Sequence, residues 1–87
     1  MCAKYSLADG ATVEDVDGTR VVLGANGDAA VLNAVAGEAL DAVLGGGVAD
    51  AVSAFVGRYD VDEATARRDV EGVVGELVSR GLLVGAA

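Results

Sequence analysis

Histidine, the side chain whose ordinary pKa lies nearest neutrality, is absent from this 87-residue chain, as is tryptophan, and the one cysteine stands at position 2. Without an imidazole, neither a Ser-His-Asp nor a Cys-His nucleophile can be assembled. Chemistry by this chain alone would fall to convergent carboxylates, a lysine or a bound cofactor. Lys4 is the only lysine and belongs to a polar-leaning lead, a poor setting for Schiff-base chemistry, and the 14 Asp and Glu residues are scattered as on a solvated acidic surface. Gly24-Ala25-Asn26-Gly27-Asp28 has the outline of a phosphate loop, but it lies between two strand-like segments and not between strand and helix. Gly45-Gly46-Gly47 lacks the Lys and Ser or Thr of a Walker loop and reads as a helix stop. Ser53 sits in Ala51-Val52-Ser53-Ala54-Phe55, away from the Asp-Ser-Leu setting at a helix start that a phosphopantetheine carrier needs. The expectation is a noncatalytic protein with no cofactor and no metal site.

Charge narrows the partner classes. Fourteen acidic residues against six basic ones leave a net charge of −8, and no Lys/Arg cluster is available to neutralise a phosphate backbone, so nucleic acid is not an expected partner. No apolar run approaches the roughly 18 residues of a membrane span, and no basic amphipathic stretch exists to lie on an anionic bilayer. Cys2 alone builds no disulfide framework, and residues 1–5 lack the apolar core of a secretory signal, so the expected location is the cytoplasm. The length allows one small domain. An apolar fraction of 53% argues against disorder, whereas 3% aromatic residues mean a thin core made of small aliphatic side chains.

The elements follow from changes of period. Residues 1–10 read as an N-terminal tail and residues 85–87 as a C-terminal one, with the domain over 11–84. Three strand-sized pieces, 11–15, 19–23 and 28–32, are separated by Asp17-Gly18 and Asn26-Gly27, dipeptides that accept the positive φ of tight turns. A three-stranded antiparallel meander results. At Asn33 the spacing turns helical: Asn33 caps a helix to about Leu44 with Val35, Leu40, Val43 and Leu44 along one stripe, and the triple glycine ends it. A second helix over 48–59 aligns Val48, Val52, Phe55, Val56 and Tyr59. A third, announced by Asp60 as cap and Glu63 at the capping-box position, runs to about Arg80 with Ala66, Val70, Val73, Val74, Leu77 and Val78 inward; Gly81 closes it before a short final strand at 82–84.

The expected fold class is therefore α+β, a winged helix-turn-helix-like arrangement in which a three-stranded antiparallel sheet is followed by three helices. Its third helix carries Asp62, Glu63, Asp69, Glu71 and Glu76 against Arg67, Arg68 and Arg80, the wrong field for a DNA groove. What such a fold retains is a sheet edge with unpaired backbone groups beside a helix, a receptor for an extended peptide by strand addition. The alternative is an acidic winged-helix adaptor for another protein, using a different face. A homodimer formed through the same edge would compete with a peptide.

The run Val21-Val22-Leu23, Asn26-Gly27, Val31-Leu32-Asn33, Ala39-Leu40, Tyr59-Asp60-Val61, Asp69-Val70, Leu77 and Arg80-Gly81-Leu82-Leu83 resembles the PqqD-like family over about residues 12–84. These are small proteins resembling the pyrroloquinoline quinone biosynthesis chaperone and the leader-recognition elements of ribosomally made, post-translationally modified peptide pathways, lasso peptides among them. The resemblance implies a noncatalytic peptide chaperone that binds a precursor's leader as an added antiparallel strand and presents it to a modifying enzyme or leader peptidase of the same pathway. A peptide pathway such as lasso biosynthesis is favoured over quinone maturation. Carried onto this chain, the augmented edge is Asp28, Ala29, Ala30, Val31 and Leu32, with Arg67, Arg68, Glu71 and Val74 as groove-facing helix residues. The two arginines would then pair with an acidic leader. The chain departs from the family in the small residues Asp28-Ala29-Ala30, where larger or aromatic side chains are usual, and in Gly24-Ala25 after the second strand. Both bear on which leader is bound more than on how.

Overall fold

Two tight turns shape the first half of the molecule. In the computed structural model, which describes residues 4–86, Asp17 and Gly18 both adopt positive φ (53° and 81°) and join β2 (Thr12–Val16) to β3 (Thr19–Leu23) as a two-residue hairpin. That mirror-image turn matches the natural twist of the strands it connects. The next connection is longer. Gly24 N–H donates to the Asp28 carbonyl (2.7 Å), Gly27 takes φ 89°, and the Asn26 side chain accepts from Asp28 N–H (3.0 Å), which delivers the chain into β4 (Ala29–Leu32). The sheet order is β2-β3-β4, antiparallel throughout, with Val22 opposite Ala30 and Val21 opposite Val31.

The expected N-terminal tail and the expected final strand, extended by two residues, supply a second sheet. β1 (Lys4–Leu7) pairs antiparallel with β5 (Leu83–Ala86), Leu7 facing Leu83 and Lys4 facing Ala86. Cys2 and the outermost residues of both expected tails lie outside the described part of the chain.

Three helices complete the fold: α1 (Ala34–Gly46), α2 (Val48–Tyr59) and α3 (Glu63–Ser79). Asn33 caps α1 as expected, its side chain accepting from Ala36 N–H at 2.8 Å. Gly47, at φ 96°, ends α1 by donating its N–H to the Val43 carbonyl (2.8 Å) and starts α2 in the next step, so the triple glycine makes a corner with almost no connecting loop. The expected cap of α3 is corrected by two residues. Asp60 instead closes α2 in the left-handed conformation (φ 53°), Val61 packs on the helical core, and Asp62 caps α3 by accepting from Thr65 N–H at 2.7 Å.

The core falls into two lobes. Phe55, Val43, Val52, Val70 and Val74 lie among the three helices, whereas Val22, Ala30, Leu32, Leu40, Leu77, Leu82 and Leu83 join the sheet to α1 and α3. Tyr5 and Val73 touch both lobes. Phe55 is the one phenylalanine and meets Tyr59 edge to face, ring centroids 5.0 Å apart. Val35 and Val78, expected inside, are 43% and 42% exposed, because the buried stripe of α1 passes through Gly37, Ala39, Leu40 and Val43 and that of α3 through Ala66, Val70, Val74 and Leu77. Among the described residues no helix is long and apolar enough to cross a membrane.

Two ionisable groups couple this fold to pH. Hydrogen bonds from the Thr65 side chain and amide hold the Asp62 carboxyl below its ordinary value, with Arg68 adding its charge. A depressed carboxyl stabilises the folded state fully above about pH 4 and ceases to as the pH falls through its lowered pKa. Asp62→Ala is accordingly expected to lower the thermal midpoint at pH 7 and to flatten its decline below pH 4, while Asp60→Gly, which relieves a left-handed residue, raises the midpoint; thermal melts across pH check both. The hydrogen bond from the Tyr59 hydroxyl to Glu38, then burial, raises the phenol pKa. That contribution is present below about pH 10 and lost above it, so Tyr59→Phe is expected to blunt alkaline unfolding in the same melts.

Candidate functional site

Backbone alternation identifies which groups of β4 are unused. The Asp17-Gly18 hairpin pairs Thr19 with Val16, so the odd-numbered residues of β3 bond to β2 and its even-numbered residues to β4. Ala30 and Leu32, opposite Val22 and Arg20, therefore spend their N–H and C=O groups on β3. Those of Ala29 and Val31 point the other way, to a side of β4 where no strand lies among the described residues. Side chains alternate as well: Ala30 and Leu32 are buried, Ala29 is exposed and Val31 is 71% exposed. Val31 thus offers an open rung, one donor and one acceptor, under a side chain that contributes little to the core.

The Ala29 rung is occupied. Its N–H donates to the Asp28 carboxylate (2.9 Å), and its carbonyl accepts from the Arg80 guanidinium (3.3 Å), which also lies 3.9 Å from Asp28 and donates to Glu76 at 2.7 Å. Beyond Leu32 the edge opens onto a hollow of about 210 Å³ lined by Asn33, Val35, Ala36, Phe55, Asp69 and Val73. Its floor is apolar and its rim carries the Asn33 and Asp69 side chains. Asp69, Val73, Glu76 and Arg80 recur at three- and four-residue spacing, so one flank of α3 faces this edge along its length.

The helix residues expected in the groove sit elsewhere. Arg67 bridges Glu63 (3.3 Å) and Glu71 (3.8 Å) on its own helix and lines a separate hollow of about 320 Å³ with Val52, Ser53 and Val56 of α2. Val74 is 5% exposed in the helical lobe, and Arg68 projects to solvent near the start of α3. The structure brings Asp28, Ala29, Ala30, Val31 and Leu32 together with Asp69, Val73, Leu77 and Arg80, and leaves Arg67, Arg68, Glu71 and Val74 away from that edge. Ser53 is exposed in the middle of α2. A further hollow of about 320 Å³ between α1 and α2 is lined by Glu38, Asp41, Phe55 and Arg58. Both larger hollows are bounded by helices alone, so neither offers free strand backbone.

Among the described residues no His, Cys, Asp or Glu side chains gather into a group able to hold a metal ion, and no buried polar side-chain atom lacks a partner. The site is one of backbone recognition: an extended chain can hydrogen-bond to the outer rim of β4 and set alternate side chains against α3.

A three-stranded sheet whose β4 edge lies open beside the last of three helices defines the winged-helix-like class expected from the sequence. Residues 15–83 match the family model described as coenzyme PQQ synthesis protein D (PqqD), and the chain belongs to that family. Two solved structures share its fold. One, "Lasso peptide synthetase B1 complexed with the leader peptide", is 27% identical with a TM-score of 0.85 over 94% of this chain and 99% of that one. The other, "TbiB1 in Complex with the TbiA(beta) Leader Peptide", is 26% identical with a TM-score of 0.83 over 94% and 98%. A search of curated proteins returned no match.

Proposed function

We propose that this protein binds the leader segment of a ribosomally made precursor peptide as a fourth strand on β4 and presents the rest of the precursor to a modifying or processing enzyme of its pathway, without catalysing a step itself. The observation that carries the reading is the open Val31 rung beside the Asn33–Val73 hollow. Backbone bonds supply affinity with little demand on sequence, and the hollow selects a leader side chain. Support comes from the two similar structures, each of which holds a leader peptide. The residues assigned to the peptide are Ala29, Val31, Asn33, Val35, Asp69 and Val73. With Arg67 committed to Glu63 and Glu71, the helix wall carries two carboxylates, Asp69 and Glu76, against one guanidinium, Arg80, so a strongly acidic leader is disfavoured.

Titration of labelled protein with the leader peptides encoded beside its gene, with a scrambled leader as control, tests this by NMR. Saturable shifts confined to 28–35 and 69–80 are expected. Shifts absent for every neighbouring leader would return the protein to the adaptor reading, and concentration-dependent shifts of the same edge without peptide would mark self-pairing instead.

A further inference from the structure

The two outward rungs of β4 are not equivalent, and the difference lies in one side chain. Arg80 reaches back from the end of α3 to hold the Ala29 carbonyl, with Asp28 beside it taking the Ala29 N–H. Resting on the leader-binding reading, we propose that Arg80 is a latch on the free edge: it sets Val31 as the rung at which an incoming strand starts to pair, and it swings aside for pairing to extend along the whole of β4.

The parts for two positions are present. Arg80 N–H donates to the Glu76 carbonyl, so the backbone stays anchored whatever the side chain does, and the side chain is 42% exposed. In the closed position the guanidinium touches the Ala29 carbonyl and Glu76 and sits near Asp28. In the open position it keeps Glu76, one turn back on its own helix, and releases the strand. Edge strands need protection from unwanted pairing, and charged side chains laid across the edge are a common means. Here the cover reaches Ala29 and stops short of Val31.

The experiment compares wild type, Arg80→Ala and Arg67→Ala by calorimetric titration with synthetic leader peptides of the precursors encoded beside the gene. NMR couplings across hydrogen bonds report which peptide amide reaches the Ala29 carbonyl. Arg67→Ala removes the same charge from the opposite flank of α3. Arg80→Ala is expected to bind about fivefold more tightly and to show a peptide amide on the Ala29 carbonyl, with Arg67→Ala within twofold of wild type. Wild-type binding that Arg80→Ala matches or weakens overturns the latch and leaves the leader reading intact. Equal tightening by both variants also overturns it, as an effect of net charge. No binding by any of the three proteins overturns the leader reading and the latch with it.

Discussion

Val31→Pro is expected to weaken leader binding sharply while leaving the fold in place. Proline lacks the N–H that Val31 offers to an incoming strand, and its ring occupies the space where the strand's carbonyl would approach. The same N–H points away from β3, so the internal ladder keeps all its bonds; proline is tolerated on strand edges for this reason. Loss of the rung's two bonds, at about 0.5–1.5 kcal/mol each, predicts a complex weaker by about fivefold to 150-fold. Ala30→Pro makes the contrast. Its N–H belongs to the β3 ladder and its side chain is 6% exposed, so that variant is expected to unfold the sheet. Calorimetric titration together with a thermal melt separates the two: Val31→Pro melts near wild type and binds far more weakly, Ala30→Pro does not melt cooperatively. A Val31→Pro variant that binds as tightly as wild type would place the peptide elsewhere.

Leu77→Ala is the substitution expected to cost most in stability. Leu77 is fully buried where α3 meets Ala30 and Leu32 of the sheet and the Leu82-Leu83 pair leading into β5. Truncation of such a leucine typically costs about 2–5 kcal/mol. A chain of 87 residues has a total of about 4–13 kcal/mol to lose. With so few large side chains, no neighbour can move in to fill the void. The urea midpoint is expected to fall by at least about 15% on these figures, against a change within about 0.5 kcal/mol for Val78→Ala, one residue along and 42% exposed. Because Leu77 fixes the distance between α3 and β4, its loss also loosens the groove, and the leader should bind more weakly even where the variant remains folded.

Much of the scaffold could be read from residue order. The Asp17-Gly18 turn, the Asn33 cap and the bounds of α2 follow from local chemistry, and local chemistry is visible in sequence. The Asp60 assignment failed because two aspartates two residues apart are equivalent until Val61 is known to pack on the helical core; that packing puts the turn at 60–61 and hands the cap to Asp62. β1 escaped notice because four residues with a partner nearly 80 positions away carry no local signal. The site was half legible for a related reason. Periodicity gives the buried stripe of α3, Ala66, Val70, Val74 and Leu77, but such a stripe has two borders. Arg67 and Glu71 lie on one, Asp69, Val73, Glu76 and Arg80 on the other, and only the hand in which α3 docks decides which of them meets β4. The expected Arg67, Glu71 and Val74 follow the first border and the flank beside β4 follows the second, whereas the strand itself is fixed by its hairpin without that ambiguity.

The pairing of Lys4 with Ala86 means that the chain enters and leaves this fold through one gate, the two Cα atoms about 5 Å apart on neighbouring antiparallel strands. A module with that geometry can be spliced into a surface loop of another protein without prying the loop apart, and its own ends can be joined by a few residues and reopened elsewhere, at the Asp17-Gly18 turn for instance. The free edge of β4 belongs to the other sheet, so insertion through this gate leaves it clear.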